Sequence, residues 1–66
     1  SIGVFRVQFA MDDDSYAALK PKLNLVKERR VGKMAELTVK GNENEILELI
    51  NNSTPLFCEI LPLTLE

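Results

Sequence analysis

The chain repeats its own pattern at a shift of thirty residues, and this internal repeat limits the fold more than any other feature. Three alternating apolar residues in each half correspond, namely Phe5, Val7 and Phe9 with Ala35, Leu37 and Val39. In both halves the alternation is followed by an Asx residue, Asp12 or Asn42, and then by helical spacing. Alternation with a period of two is typical of a strand with one buried face, and an Asx residue often caps a helix start. Each half is therefore predicted to contain a strand followed by a helix.

A second strand completes each half. Strands are predicted over residues 4–10, 26–31, 34–40 and 56–61, and helices over residues 13–22 and 43–51. Pro21 should loosen the last turn of the first helix, and Gly32-Lys33 is typical of a hairpin turn. Right-handed crossovers place both helices on one face of a four-stranded antiparallel sheet. The order strand–helix–strand–strand–helix–strand predicts an α+β fold of the ferredoxin-like, split βαβ type.

The strand and helix periodicities also predict the two faces of the sheet. The expected core consists of Phe5, Val7, Phe9, Leu19, Leu23, Leu37, Val39, Ile46, Leu49, Ile50, Leu56, Cys58 and Ile60. The opposite face is expected to carry Arg6, Gln8, Glu36, Thr38, Phe57 and Glu59. A chain of 66 residues is short, so residues 1–66 are predicted to form a single domain of modest stability.

The composition argues against several classes of function. The sequence has no His and a single Cys, which leaves no metal-ligand set and no Ser/His/Asp or Cys/His arrangement. It contains no Walker motif, and its net charge of −2 is unlike that of a general nucleic-acid binder. The central strands offer no exposed aromatic residues on which bases could stack. We therefore predict no catalytic, cofactor-binding or metal-binding residues, and the composition argues against a nucleic-acid partner.

Asp12, Asp13 and Asp14 form the most conspicuous run of charge. Clustered carboxylates suit a divalent cation, but calcium needs six or more oxygens from a shaped loop. Acidic residues at a helix start need no such loop, since one caps the helix and the others offset its dipole. We favour the helix start. Cys58 is interpreted as a small buried hydrophobe rather than a reactive thiol, because nothing near it in sequence would stabilise a thiolate.

Two groups of residues are candidates for binding. The first is a basic patch of Lys27, Arg29, Arg30 and Lys33, which could meet anionic lipid, nucleic acid or an acidic partner. Cations on an edge strand also discourage unwanted strand pairing, and these residues alternate across the strand, so the solvated edge is favoured. The second group is a partner interface of Phe57, Leu61, Leu63 and Leu65, because a strand that is apolar on both sides is usually covered on both sides. Single apolar residues scattered over a surface are also common, and the sequence leaves both interpretations open.

The segment from residue 45 to residue 66 resembles the tail of a known family. Its closing residues Pro62, Leu63, Thr64, Leu65 and Glu66 match the beginning of the Pro-Leu-Thr-Leu-Glu-Glu-Ile-Phe-like helix that ends the C-terminal accessory domain on ATP-binding subunits of bacterial ATP-binding-cassette (ABC) exporters. The strand over residues 5–9, Phe-Arg-Val-Gln-Phe, also fits the usual opening of that domain. The resemblance covers most of the chain, but only the tail is distinctive.

The resemblance implies a non-catalytic appendage taken from the C-terminal end of a longer ATPase subunit. The parent would hydrolyse ATP in an upstream domain and drive a membrane permease. The appendage would lie in the cytoplasm, at the membrane through the parent transporter, and would bind no cofactor. Its partners would be the ATPase domain of the same chain, the permease, and its twin in a homodimer.

Two other functions are weighed against this one. A small-molecule regulatory domain of similar topology would bind an amino acid or similar effector at a dimer interface. Such domains usually have glycine in the first strand–helix turn, where this chain has the acidic run that begins at Asp12. A basic-patch binder of lipid or nucleic acid is the third reading, and it would depend on Arg29 and Arg30.

Overall fold

Four strands form one antiparallel sheet in the order β2-β3-β1-β4. The computed structural model describes residues 1–63. The strands are β1 (Gly3–Ala10), β2 (Leu25–Val31), β3 (Met34–Gly41) and β4 (Phe57–Pro62), and the helices are α1 (Asp13–Leu19) and α2 (Glu43–Asn51). The chain order β1 α1 β2 β3 α2 β4 confirms the predicted α+β class and the ferredoxin-like, split βαβ arrangement.

Both helices begin at the predicted Asx residues. The Asp12 carboxylate accepts a hydrogen bond from the Ser15 backbone N–H at 2.8 Å, and the Asn42 side-chain oxygen accepts one from the Glu45 N–H at 3.0 Å. These bonds satisfy amides that the helix itself leaves unpaired. The bond to Ser15 also lowers the pKa of Asp12. The first residue of the acidic run is therefore a helix cap.

The first helix is shorter than predicted. Instead of continuing to residue 22, α1 ends at Leu19 and a 3₁₀ turn (Lys20–Lys22) follows. Pro21 lies in that turn, and its missing N–H prevents the regular α-helical bonding pattern from continuing. Within residues 1–63, no helix combines the length and apolar character needed to cross a membrane.

The hairpin between β2 and β3 has a two-residue turn, as predicted. Val31 pairs with Met34, and Gly32 between them has a φ of 60°. A residue with a Cβ rarely adopts this left-handed conformation, whereas glycine does so without steric cost. The turn fixes the register of the two strands, which in turn decides which β2 side chains lie on each face of the sheet.

The core lies between the sheet and the two helices. Its largest fully buried side chains are Phe9, Leu19, Leu37, Ile50, Val7 and Val39, all of which were predicted. Leu23, Leu49, Cys58 and Ile60 are half-buried against this cluster. The core also includes three residues outside the predicted set, namely Met11, Tyr16 and Ala35.

Leu56 was predicted to lie in the core, and this prediction is wrong. Its side chain is 77% exposed. The strand begins one residue later than expected, at Phe57, which pairs with Ala10 at the end of β1. The Leu56 N–H also donates to the Ala10 carbonyl at 2.8 Å, but Ala10 is the register partner of Phe57. Leu56 therefore lies outside the regular pairing, and the inward-outward alternation of the strand does not extend to it.

Thr54 adopts the left-handed conformation, with a φ of 49°, in the turn after α2. A β-branched residue is strained there, and glycine is not. We expect Thr54→Gly to raise the free energy of unfolding by about 1 kcal/mol, measured by urea denaturation. Thr54→Ala keeps a Cβ and serves as the control, with no comparable gain expected. A destabilised glycine variant would contradict the assignment of strain.

Candidate interaction surface

The face of the sheet turned away from the helices carries no covering element within residues 1–63, and we call it the open face. The strand register places alternate residues of every strand on it. From β2 to β4 these residues are Lys27, Arg29, Val31, Met34, Glu36, Thr38, Lys40, Val4, Arg6, Gln8, Ala10, Phe57, Glu59 and Leu61. All six residues that the sequence predicted for this face lie on it.

An apolar row crosses the whole sheet at one end of the open face. It consists of Val31, Met34, Ala10 and Phe57, which are register partners in succession across the four strands. Ala10 is buried beneath its neighbours, whereas Val31 is 66% and Met34 51% exposed. Large apolar side chains that meet in one row form a patch, and such patches often mark sites of protein contact.

The predicted interface residues on and beyond β4 are exposed. Phe57 belongs to the apolar row, and Leu61 pairs with Arg6 farther along the open face. Leu63 follows the strand, donates its N–H to the Val4 carbonyl at 2.8 Å, and is also exposed. Phe57 and Leu61 therefore share one face but are separated by Glu59. Leu65 lies outside the described residues.

A cationic centre of Arg6, Lys27 and Arg29 lies in the middle of the open face. Arg6 and Lys27 flank Thr38 from its two neighbouring strands, and Arg29 lies opposite Glu36. The three cations, Thr38 and Glu36 line one shallow depression. Glu36 accepts a hydrogen bond from the Gln8 amide at 2.8 Å, and no ion pair joins the cations to a carboxylate in the part of the chain described.

The charge of the open face is opposite in sign to that of the whole chain. The face carries four cations against two carboxylates, an excess of two positive charges, while the chain has a net charge of −2. The cations are Arg6, Lys27, Arg29 and Lys40, and the carboxylates are Glu36 and Glu59. Such segregation favours an acidic partner surface and opposes face-to-face pairing of two copies.

The four residues of the predicted basic patch do not share one surface. Lys27 and Arg29 lie on the open face, Arg30 lies on the helix side, and Lys33 lies in the hairpin turn. The alternation of strand side chains separates Arg29 from Arg30. The cationic centre instead includes Arg6 from β1, which is distant in sequence from the other two cations.

Arg30 belongs to a polar cluster between α1 and the helix side of β2. Its guanidinium donates to the Met11 carbonyl at 2.9 Å, pairs with the Asp13 carboxylate at 3.1 Å, and stacks on the Tyr16 ring 4.3 Å from the centroid. Arg30 Nε is buried without a hydrogen-bond partner in the described residues. These contacts bind the edge strand β2 to the start of α1, which is a structural role.

Glu28 extends the same cluster. It accepts a hydrogen bond from the Tyr16 hydroxyl and forms an ion pair with Lys20 at 2.9 Å. Burial, and then the bond to Glu28, raise the pKa of Tyr16, while the same bond lowers the pKa of Glu28. Sequence analysis did not identify this cluster. The signal was present, because Glu28 and Arg30 occupy alternate positions of β2 that face the helices.

Stability should fall more steeply in acid for the wild type than for Glu28→Gln. The pKa of Glu28 lies below its ordinary value of 4.5, chiefly because Tyr16 donates to it. A lowered folded-state pKa gives stabilisation that is present above the unfolded pKa and is lost as the pH falls through the folded pKa. Urea unfolding at a series of values below about pH 5 measures the difference. Asp12, whose pKa is also lowered, is present in both proteins, so its contribution cancels in the comparison. Stability profiles that run parallel for the two proteins would therefore contradict the stabilising role of Glu28.

The other predicted candidates have structural environments. Asp13 pairs with Arg30 and Asp14 is exposed, and no group of three His, Cys, Asp or Glu side chains within residues 1–63 could hold a metal ion. The Cys58 thiol is half-buried, and burial followed by the charge of Glu59 raises its pKa. A thiol with a raised pKa is a poor nucleophile at neutral pH.

Comparisons of the chain with protein-family models, with curated proteins and with solved structures find no match.

Proposed function

We propose that this chain is a non-catalytic interaction domain, the C-terminal accessory domain of the ATP-binding subunit of a bacterial ABC exporter. Its open face would dock on the ATPase domain of the same chain. The parent would act in the cytoplasm beneath a membrane permease. The resemblance of the tail supports the family, and the residues of the open face support the docking role.

The single observation that carries the docking role is the composition of the open face. The apolar row from Val31 to Phe57 would bury against apolar side chains of the partner. The cationic centre of Arg6, Lys27 and Arg29 lies beside it without internal ion pairs in the described residues. The matching surface on the ATPase domain would therefore be apolar at one end and acidic in the middle.

The open reading frame of the parent provides the first test. A Walker motif roughly two hundred residues upstream of Ser1 is expected if the parent is such an ATPase. A reading frame without nucleotide-binding motifs would overturn the family assignment. It would leave the docking role of the open face to be tested separately.

The docking role can be tested by charge reversal in the intact parent protein. Docking should raise the unfolding temperature of the accessory domain, because a contact made only by the folded domain stabilises it. Calorimetry gives the unfolding temperature of the accessory domain in the intact parent and in the isolated chain, and the difference measures the stabilisation by docking. We expect Lys27→Glu/Arg29→Glu to abolish this difference. Lys22→Glu/Lys33→Glu makes the same charge change off the open face and should retain it. Equal behaviour of the two variants would contradict the proposal.

A small-molecule regulatory domain is the second candidate function. The observation that favours it is a depression on the open face lined by Gln8, Arg29, Val31, Met34, Ala35 and Glu36. A guanidinium, a carboxylate and an amide beside apolar side chains could bind a zwitterionic effector. A clear thermal shift of the chain on titration with amino acids or nucleotides, lost in Arg29→Ala, would establish this function instead.

A further inference from the structure

The outer edge of β4 has backbone groups that are free to pair with another strand. The Leu63 N–H donates to the Val4 carbonyl, so these two residues form a hydrogen-bonded pair. In an antiparallel ladder every second pair is hydrogen-bonded, and the β1–β4 register extends this pattern to the odd-numbered residues of β4. Odd-numbered residues of β4 therefore direct their N–H and C=O groups toward β1. Those of Cys58 and Ile60 point away from the sheet. No strand within residues 1–63 covers this edge.

The two edges of the sheet differ in how they are protected. The β2 edge has a register shift between Leu25 and Lys27 and carries alternating cations. Irregularities and charges of this kind discourage edge-to-edge pairing. The β4 edge pairs with β1 without a register shift, and Glu59 is its sole charged residue. Its one protecting feature is Pro62, which is at the end of the strand and leaves the outward groups of Cys58 and Ile60 free to pair. Of the two edges, β4 is the one suited to strand addition.

We propose that two copies of this chain pair through antiparallel β4 strands, about a two-fold axis that passes beside Ile60. This arrangement doubles the four-stranded sheet. Ile60 would exchange backbone hydrogen bonds with the partner's Ile60, and the Cys58 N–H would donate to the partner's Pro62 carbonyl. The proposal does not rest on the docking function, because it uses the edge of the sheet and not the open face.

The occupant is a second copy because β4 is complementary to itself in this register. On the open face, Phe57 would lie opposite the partner's Leu63, and Leu61 opposite the partner's Glu59. The two Glu59 carboxylates are then offset from one another. The alternative antiparallel register, centred on Glu59, would place them directly opposite, which is unfavourable for like charges. Pairing of β4 with β2 of another copy is less favourable, because the register shift and the cations of β2 discourage pairing at that edge.

Pro62 fits an edge of this kind. In β4 it is an even-numbered residue, so its nitrogen points away from β1 and its missing N–H removes no bond from the β1–β4 pairing. In the dimer it would leave the partner's Cys58 carbonyl without a donor, so this pair would share one backbone bond instead of two. Its carbonyl remains able to accept the bond from the partner's Cys58. The proline also limits how far the pairing extends, which favours a closed dimer with one register.

The helix side of the edge offers an apolar residue as well. Leu49 lines a depression with Leu23 and Val39, so this flank of α2 faces β3 and the segment that follows the 3₁₀ turn. Leu47 lies about 160° around the helix from Leu49 and is half-buried on the opposite flank. Because α2 also packs against β4, we place this flank beside the β4 edge. The two-fold axis would bring Leu47 toward the partner's Leu47 above the paired strands.

Sedimentation of the chain over a concentration series tests the dimer. We expect a species of twice the monomer mass of 7.4 kDa that dissociates on dilution. The chain is short enough for total synthesis, so an N-methyl group can be placed on the backbone nitrogen of Ile60. It would block the outer edge without touching the β1 ladder and should leave only monomer. N-methylation of Glu28, whose N–H points outward from the β2 edge, is the matched control and should leave the dimer intact.

Cross-linking tests the register and also decides the matter if an N-methylated chain does not fold. In the Cys58→Ala background, Ile60→Cys would place two thiols opposite one another at the axis, at a separation that a disulfide can bridge. Diamide should oxidise this variant to a dimer roughly 10-fold faster than Glu59→Cys in the same background. A chain that is monomeric throughout, or equal and slow oxidation of both variants, would overturn the proposal. Faster oxidation of Glu59→Cys would overturn the register.

Discussion

Phe9→Ala should remove about 3–5 kcal/mol from the free energy of unfolding, which is most of the stability expected for a domain of this size. Phe9 is fully buried and lies on β1, a central strand, with its ring centroid 6.0 Å from that of Tyr16. Removing the ring leaves a cavity that a small core can fill only by shifting the strand or α1. Urea unfolding followed by circular dichroism gives the measurement.

Phe57→Ala is the matched control for Phe9. Phe57 lies on the open face and is 36% exposed, so truncation should lower the free energy of unfolding by only about 1 kcal/mol. The comparison separates a side chain that holds the fold together from one that is available to a partner. A loss at Phe57 as large as that at Phe9 would show that the open face is part of the core, and it would weaken the docking proposal.

Arg30→Ala should destabilise the domain by about 2 kcal/mol, while Arg29→Ala should change its stability by less than about 0.5 kcal/mol. The Arg30 guanidinium bonds the Met11 carbonyl, pairs with Asp13 and stacks on Tyr16. Its removal also leaves the Met11 carbonyl without this donor. Arg29 is on the other face of the same strand, in the cationic centre, and forms no ion pair within residues 1–63.

Thermal and urea unfolding of both arginine variants provide the comparison. Arg30→Lys adds a second control, because an ammonium keeps the charge but cannot reproduce the stacked, forked geometry of the guanidinium. It should recover only part of the loss. Equal stability of the Arg29 and Arg30 variants would contradict the structural role of the cluster between α1 and β2.

The fold could be predicted from the sequence because local signals agreed with one another. The alternation around Val7 and Leu37, the two Asx caps and the glycine turn all indicated the same order of strands and helices. The second helix begins and ends at the predicted residues, since its cap and its buried stripe are local features. The same alternation predicted which residues lie on the open face.

The remaining features depend on contacts between distant parts of the chain. The alternation of apolar residues predicts which side of a strand a residue faces, but it does not predict at which residue the strand begins. Leu56 is exposed because β4 begins one residue after it. The alternation of β2 indicates that Arg30 faces the helices, but it cannot identify which residues of α1 and its preceding loop bind the guanidinium. Likewise, the cationic centre includes Arg6, which only the sheet order brings near Lys27.

The most direct measurement of the central claim is site-specific photo-cross-linking in the intact parent protein. A photoreactive phenylalanine analogue at Phe57, on the open face, should cross-link to the ATPase domain of the same subunit. The same analogue at Glu48, an exposed residue of α2 on the helix side, should not. Cross-links from Glu48 but not from Phe57 would contradict the account, because the ATPase domain would then contact the helices and leave the open face in solvent.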